Sequence, residues 1–230
     1  MRQTSLNIIA ISIFILTMSA LLGPIFNISP VIPAIATFSV MVLVTVDTLG
    51  WQGQGSMIIV DLVEGASSER RERIIRHEAG HFLVAYLLEI PVSGYALSAW
   101  EAFRQGQSAQ GGVRFDDQKL AAQLQRGMIS EQTIDQYCTV WMAGIAAEDL
   151  VYGNTEGGAE DRAKITVILT QLKRSTESKL KQSWASLQAR SLIENHQSAY
   201  QALVTAMTQR ASVSECYQTI EENISGDQTE

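Results

Sequence analysis

Residues 69–90 read ERRERIIRHEAGHFLVAYLLEI, and this stretch has the pattern of one long helix. Ser67 and Ser68 before it are suitable N-caps, and Pro91 after it stops a helix. Residues three and four apart share one face of a helix, and one such face combines apolar residues with histidines: Ile74, His77, His81, Val84 and Leu88. The pattern therefore predicts a helix that carries both histidines on its buried face.

The five residues His77-Glu78-Ala79-Gly80-His81 place two imidazoles at a spacing that can hold one metal ion. Glu78 follows the first histidine, so its carboxylate would point beside the metal and could accept a proton from water. The pattern predicts a zinc site with His77 and His81 as ligands and Glu78 as the catalytic base. The alternative is a pair of core histidines that are satisfied by hydrogen bonds.

A catalytic zinc takes three protein ligands and keeps one open position, so a third ligand must come from elsewhere in the chain. The remaining histidine, His196, lies in the polar stretch ENHQ and is predicted to be a surface residue. A carboxylate is the better candidate. Spacing alone does not choose among the acids between residues 148 and 161, which are Glu148, Asp149, Glu156, Glu160 and Asp161.

The N-terminal region is apolar, and Gln3 to Val46 contains no Asp, Glu, Lys, Arg or His. It divides into two runs, Leu6–Gly23 and Ile28–Val46, and a short turn separates them. Each run is long enough as a helix to cross a hydrocarbon core of about 30 Å. The region predicts a transmembrane hairpin, and the alternative for the first run is a cleaved signal peptide.

The charges around these two runs predict the topology. Arg2 precedes the first run, the turn between the runs has no charge, and four arginines follow the second run: Arg70, Arg71, Arg73 and Arg76. Positive residues stay on the cytoplasmic side of a membrane. We therefore expect an integral membrane protein with its N-terminus and its soluble domain on the cytoplasmic (or stromal) side.

The fold class predicted from these patterns is mainly α. Residues 1–50 form the transmembrane hairpin, 51–66 a linker, 67–222 a helical domain and 223–230 a flexible tail. Met57–Val63 is either a strand or an amphipathic helix, and the glycine-containing region Val92–Phe115 predicts a small β element of strands and loops. Within it, residues 111–115 (GGVRF) are either an edge strand that binds substrate backbone or part of a plain hairpin. Helical periodicity returns from Lys119 onward.

Composition excludes some classes of function. The formal net charge is −7 and no long basic run occurs, so nucleic acid is not an expected partner. Cys138 and Cys216 lie far apart in helix-like contexts, so we interpret them as reduced packing residues.

Two separated motifs resemble the FtsH family of membrane zinc proteases. His77–Leu83 (HEAGHFL) is similar to the active-site helix of that family, and residues 142–161 (MAGIAAEDLVYGNTEGGAED) are similar to its second conserved block. The motifs occur in the family's order, behind two apolar runs. The aspartate of the second block is the third zinc ligand in the family, which implies Asp161 here. Glu148 matches the helix acid of that block, and the resemblance implies that it orients a ligand.

The sequence also departs from the family pattern. The family normally carries an AAA+ ATPase module between its spans and its peptidase, but here Val46 ends the second apolar run and the zinc helix begins near Glu69. No GxxxxGK[ST] phosphate-binding loop occurs in the sequence. Ile145 stands where the family has arginine, and residues 156–158 read EGG in place of a Thr-Thr-Gly-Ala turn. The chain thus resembles short relatives of cyanobacteria and plastids that lack the ATPase.

These patterns predict a membrane-anchored zinc metalloendopeptidase that hydrolyses peptide bonds of membrane or unfolded proteins. Its expected cofactor is zinc, and its expected partners are protein substrates, the lipid bilayer, and either a homo-oligomer or a separate ATPase. One alternative is a non-catalytic FtsH-like membrane partner that regulates or completes a larger protease complex. A structural zinc protein is the other alternative, but structural zinc usually has four ligands rich in cysteine.

Overall fold

The computed structural model describes residues 2–51, 53–64, 67–106, 111–126 and 129–227. The protein is mainly α, as predicted, and the described residues contain one small two-stranded sheet. The elements in chain order are α1 (Arg2–Leu22), α2 (Val31–Gly50), α3 (Gln54–Glu64), α4 (Ser68–Leu87), β1 (Val92–Ala96), α5 (Ala99–Arg104), β2 (Gly112–Phe115), α6 (Gln118–Gln125), α7 (Glu131–Tyr152), α8 (Ala159–Gln171), α9 (Ser178–Asn195), α10 (Gln197–Thr208) and α11 (Val213–Asp227).

The chain forms two compact units. The first unit, called here the hairpin unit, contains Met1–Ser67 together with Ser98–Gly111. The second unit, called here the helical unit, contains Ser68–Leu97 together with Gly112–Glu230. The predicted boundaries at residues 50, 66 and 222 stay predictions.

The hairpin unit begins with two helices that are long and apolar enough to cross a membrane, Leu6–Phe26 and Val31–Gly50. The turn between them is closed by Asn27, which adopts a left-handed conformation with φ of 56° and donates its backbone N–H to earlier carbonyls. Nearly all side chains of both helices are exposed. These features suggest association with a membrane.

The junction between α2 and α3 is held by a buried carboxylate. Asp47, in the last turn of α2, accepts hydrogen bonds from the backbone N–H groups of Gly55 (2.7 Å) and Ser56 (2.9 Å) and from the Ser56 hydroxyl (2.5 Å). These N–H groups belong to the first turn of α3, where a helix has no internal acceptor for them. The segment Met57–Val63, which the sequence left as strand or helix, is therefore helical.

Helix α5 is a correction to the sequence prediction, which gave only strands and loops between Val92 and Phe115. Ser98 caps this short helix, because its hydroxyl accepts the backbone N–H of Glu101 at 3.1 Å. The helix packs against α3 within the hairpin unit. Strands β1 and β2 pair antiparallel, with Tyr95 opposite Val113, so the predicted β element is present. It is not a plain hairpin, because α5 lies between its strands.

The helical unit is built on the contact between α4 and α7. Gly80 permits their close approach, because a Cβ atom there would lie 2.7 Å from both the Ala143 carbonyl oxygen and the Ala147 Cβ. Helix α9 packs on α7 and also contacts α4, and α10 packs on α4 and α11. Helix α4 ends at Leu87 rather than at the predicted Ile90, because Glu89 adopts a left-handed conformation with φ of 57°. Helix α11 continues to Asp227, into the segment predicted as a flexible tail.

Candidate metal centre

Helix α4 places His77 and His81 one turn apart on its buried face. Their residue exposures are 8% and 5%, and their ring centroids are 4.8 Å apart. The two Nε2 atoms approach to 3.1 Å. The predicted inward stripe is therefore present, and it brings two imidazole nitrogens to one point.

Helix α7 fixes the orientation of both imidazole rings. The Nδ1–H of His77 donates to Oε1 of Glu148 at 2.7 Å, and the Nδ1–H of His81 donates to the carbonyl oxygen of Val140 at 2.7 Å. When each Nδ1 carries the proton, each Nε2 keeps a lone pair. Two lone pairs then face each other at 3.1 Å, which is repulsive unless a proton or a cation lies between them.

Asp161 brings a third acceptor to the same point from the first turn of α8. Its Oδ2 lies 3.6 Å from Nε2 of His77 and 3.5 Å from Nε2 of His81. Its other oxygen, Oδ1, accepts from Nζ of Lys164 at 3.0 Å. Asp161 is buried, with 8% exposure, so its carboxylate is directed inward and not toward solvent.

The spacing of these three atoms fits a zinc ion. Zinc binds imidazole nitrogen and carboxylate oxygen at about 2.0–2.2 Å, so tetrahedral ligand atoms lie roughly 3.3–3.6 Å apart. The three separations here are 3.1, 3.5 and 3.6 Å. Among the described residues, His77, His81 and Asp161 form the group of metal-binding side chains that could hold an ion.

The charges of the cluster also favour a cation. Burial lowers the pKa of His77, but hydrogen bonds with Asp161 and Glu148 outweigh burial and raise that pKa to about 10. Burial raises the pKa of Asp161, but the two histidines hold it well below its usual range. The cluster therefore favours one added positive charge, which either a proton or a metal ion supplies.

Glu148 supports the cluster from α7 and is 2% exposed. Besides His77, its carboxylate accepts from Nη1 of Arg73 (3.1 Å) and from the backbone N–H groups of Glu156 (2.8 Å) and Gly157 (3.2 Å). Burial raises its pKa, but these partners, with His77 first, lower it to about 2. A permanently ionised carboxylate thus holds the His77 ring and the turn that leads to α8.

Two glycines make room for the ring of His77. A Cβ atom on Gly144 would lie 2.3 Å from Nε2 of His77, which is too close for any other residue. A Cβ atom on Gly157 would lie 2.7 Å from Oε1 of Glu148 and 3.1 Å from Cε1 of His77. Both positions therefore require glycine for steric reasons, and neither requires it for backbone conformation.

Glu78 lies beside the cluster and not within it. Its Oε2 accepts the backbone N–H of Val113 in strand β2 at 2.9 Å, and its charge contributes to the raised pKa of His77. Glu78 thus has a fixed carboxylate next to the first histidine, as the sequence predicted. Its role as a base stays a prediction.

The structure separates the remaining sequence candidates from the cluster. Asp149 pairs at the surface with Arg190, Nη1 to Oδ2 at 2.9 Å, and Glu156 and Glu160 are exposed. His196 is half-buried, and its Nδ1–H donates to the carbonyl oxygen of Leu192 at 2.8 Å. Of the five acids between residues 148 and 161, Glu148 and Asp161 are the two that contact the histidines.

Arg73 is a residue of the centre that the sequence analysis missed. The sequence analysis used Arg73 only to predict the membrane topology. In the structure it is 9% exposed and donates a hydrogen bond to Glu148, and its Cζ lies 4.1 Å from the ring centroid of Tyr152. Its spacing of four from His77 puts it on the same helix face, and that spacing was the available signal.

Comparison with models of known protein families gives no match for this chain. One similar protein is the ATP-dependent zinc metalloprotease FtsH 1 of Sorangium cellulosum (strain So ce56), which is 35% identical over 97 residues, or 41% of this chain. This similarity suggests the FtsH family. The chain spans 14% of that relative's length. A protease-related function and a metal at the His-His-Asp group agree with the relative's zinc chemistry.

Proposed function

We propose that this chain is a membrane-anchored zinc metalloendopeptidase that hydrolyses peptide bonds of membrane or unfolded proteins. The observation that carries the proposal is the convergence of three buried acceptors, on His77, His81 and Asp161, beside the fixed carboxylate of Glu78. The similarity to an FtsH zinc metalloprotease supports the same reaction class.

In this proposal His77, His81 and Asp161 hold the zinc, and Glu148 and Val140 keep the two rings oriented toward it. A bound zinc ion supplies a Lewis acid that polarises the scissile carbonyl and makes water a nucleophile near neutral pH. Because the rings cannot turn while both Nδ1–H groups are engaged, the protein keeps its ligand atoms preorganised.

Glu78 carries the proton transfers in this mechanism. Its carboxylate accepts the proton of the attacking water and later passes it to the leaving amine. The N–H of Val113 holds one carboxylate oxygen in place, which leaves the other for the proton. Strand β2 offers extended backbone beside this base, and we propose that an extended substrate binds along it.

We also propose the short family form, in which no ATPase module separates the spans from the peptidase. Helix α2 ends at Gly50 and α4 begins at Ser68, and α3 occupies most of the interval. The peptidase would then face the cytoplasmic or stromal side, as the flanking arginines indicate. Its proposed protein partners, besides substrates, are other copies of the chain or a separate ATPase.

The test compares zinc content with cleavage of an unstructured peptide, using the full chain in detergent. We expect about one zinc per chain by elemental analysis, with loss of zinc in the double variant His77→Ala/His81→Ala. Glu78→Gln should keep its zinc and lose cleavage by roughly a hundredfold or more, because it removes the base and keeps the shape. Glu72→Gln is the matched control, since Glu72 is an exposed acid of the same helix.

Two results would overturn the proposal. Full zinc in the double histidine variant would place the metal elsewhere. Normal cleavage by Glu78→Gln, or zinc binding without any cleavage by the natural chain, would favour the alternative of a non-catalytic partner in a larger protease complex.

A further inference from the structure

In helix α5 the large aromatic side chains are exposed and the small alanine side chains are buried, which is the reverse of the usual pattern for a helix in water. Ala99 and Ala102 are buried, whereas Trp100 and Phe103 are 52% and 46% exposed. The two aromatic rings stack on each other with centroids 5.9 Å apart and an angle of 24°. In water, aromatic residues of a helix usually face the core, so this pair forms an apolar patch that needs a cover.

The position of α5 within the hairpin unit indicates what covers this apolar patch. Helix α5 belongs to the hairpin unit and packs against α3, whose first turn Asp47 ties to the end of α2. Trp51, 65% exposed, follows α2 directly, where a tryptophan suits a membrane–water boundary. Helix α3 is about 16 Å long at 1.5 Å per residue, so α5 lies within that reach of the boundary.

We propose that Trp100 and Phe103 insert into the headgroup region of the bilayer that the hairpin crosses. Aromatic side chains are favoured at this depth, and Arg104 at the end of α5 can extend its charge to lipid phosphates. The partner is therefore a lipid surface. This inference rests on the proposed membrane placement of α1 and α2, but not on zinc or peptidase activity.

The inserted helix would tether the connection between the two strands of the β element. Helix α5 lies between β1 and β2 in sequence, and β2 contains Val113, whose N–H holds Glu78. The membrane would thus hold one end of the segment that leads to the proposed substrate-binding strand.

The test uses the chain's own tryptophans, which are Trp51, Trp100, Trp141 and Trp184. Single-tryptophan variants of the full chain, with the others changed to Phe, are reconstituted in phosphatidylcholine vesicles that carry bromine at different acyl depths. We expect quenching to place Trp51 and Trp100 about 5–10 Å below the headgroup boundary, the depth of interfacial helices. Trp141, 7% exposed in the core of the helical unit, is the control and should not be quenched, because its own unit shields it from lipid.

A second measurement leaves all four tryptophans in place. A fluorophore on Arg104→Cys should be quenched by the same lipids and not by their unbrominated counterparts. Labelling is selective because Cys138 and Cys216 are buried, which raises their pKa to about 12 and about 11. Adding Phe103→Ser should weaken quenching of the Arg104→Cys label, whereas adding Leu187→Ser, at an exposed position of α9, should not change it.

The outcomes distinguish the patch from the membrane placement on which it rests. Quenching of Trp51 without quenching of Trp100 or of the Arg104→Cys label overturns the inserted patch while the hairpin remains in the bilayer. Absence of quenching at Trp51 as well overturns both. If the labelled protein is not quenched, disulfide-linked dimers formed when unlabelled Arg104→Cys is treated with a mild oxidant would show that a second copy covers the patch instead.

Discussion

The two compact units differ in which side chains they expose. In the hairpin unit, large apolar side chains such as Phe38 and Leu43 are exposed, each by 68%. In the helical unit, most large apolar residues are buried, and His77, Glu148 and Asp161 are buried with them. Lipid can cover the exposed apolar side chains of the hairpin unit without any polar partner. The buried acceptors of the helical unit each require a donor or a cation.

A buried carboxylate shows the same contrast in each unit. Asp47 is satisfied by neutral donors alone, two backbone N–H groups and one hydroxyl. Glu148 is satisfied by a histidine, an arginine and two N–H groups, whereas Asp161 accepts from a lysine and faces Nε2 of two histidines at 3.5 and 3.6 Å. The neutral donors around Asp47 hold two helices together. The cationic partners around Glu148 and Asp161 instead form a centre in which a metal ion can replace a proton.

The largest expected effect is from removing the third acceptor. Asp161→Ala should lower zinc affinity by more than about 100-fold, beyond the loss expected for a supporting residue. Asp149→Ala is the control, because Asp149 pairs only at the surface with Arg190. Competition with a chromophoric chelator measures both affinities. Equal affinities in the two variants would show that the third ligand is another residue.

Glu148→Gln should have a smaller effect, lowering zinc affinity by about 10–100-fold because His77 loses its charged partner. The control is Glu156→Gln, since the Glu156 side chain is 61% exposed and its carboxylate lies 3.6 Å from Arg73. The same chelator competition applies. A loss as large as that of Asp161→Ala would mean that Glu148 binds the metal directly.

Asp47→Ala should act on the hairpin unit alone. Loss of the cap should destabilise the first turn of α3 by about 1 kcal/mol, or roughly fivefold faster amide exchange there. Zinc affinity should not change. Thr48→Ala is the matched control, because the exposed Thr48 hydroxyl bonds only within α2. Altered zinc binding in Asp47→Ala would contradict this expectation.

The smallest effect is expected for Lys164→Ala. Lys164 bonds Oδ1 of Asp161, but its side chain is 50% exposed, so the pair should contribute less than about 1 kcal/mol. Zinc affinity should therefore change by less than roughly fivefold. A larger loss would show that the lysine sets the orientation of the Asp161 carboxylate.

The sequence was sufficient for the parts of the molecule that repeat a simple pattern. The two apolar runs and the inward stripe around His77 follow from length and from the helical period, and both are present. Asp161 was predicted as the third ligand from the resemblance to the FtsH family, because spacing could not distinguish it from four other acids. The turn that directs Asp161 inward depends on the contacts of Glu148, which reach Gly157 nine positions later and His77 71 positions earlier, and this pairing carries no local signal.

Two features could not be recovered from the sequence because packing decides them. Helix α5 has six residues, too few for a clear period, and its apolar face points outward. Arg73 was interpreted as one of several cytoplasmic arginines, because a charged residue is assumed to be exposed. Its partner Glu148 lies 75 positions away, so only the packing of α4 on α7 shows that the arginine is buried.

The contacts of Glu148 also determine when the His-His-Asp cluster of a newly synthesised chain can assemble. Its partners Arg73 and His77 are made 75 and 71 residues before it, and Glu156 and Gly157 follow eight and nine residues after it. When only α4 has left the ribosome, nothing yet orients the rings of its two histidines. The complete cluster of His77, His81 and Asp161 therefore forms only after α4, α7 and the first turn of α8 have packed together.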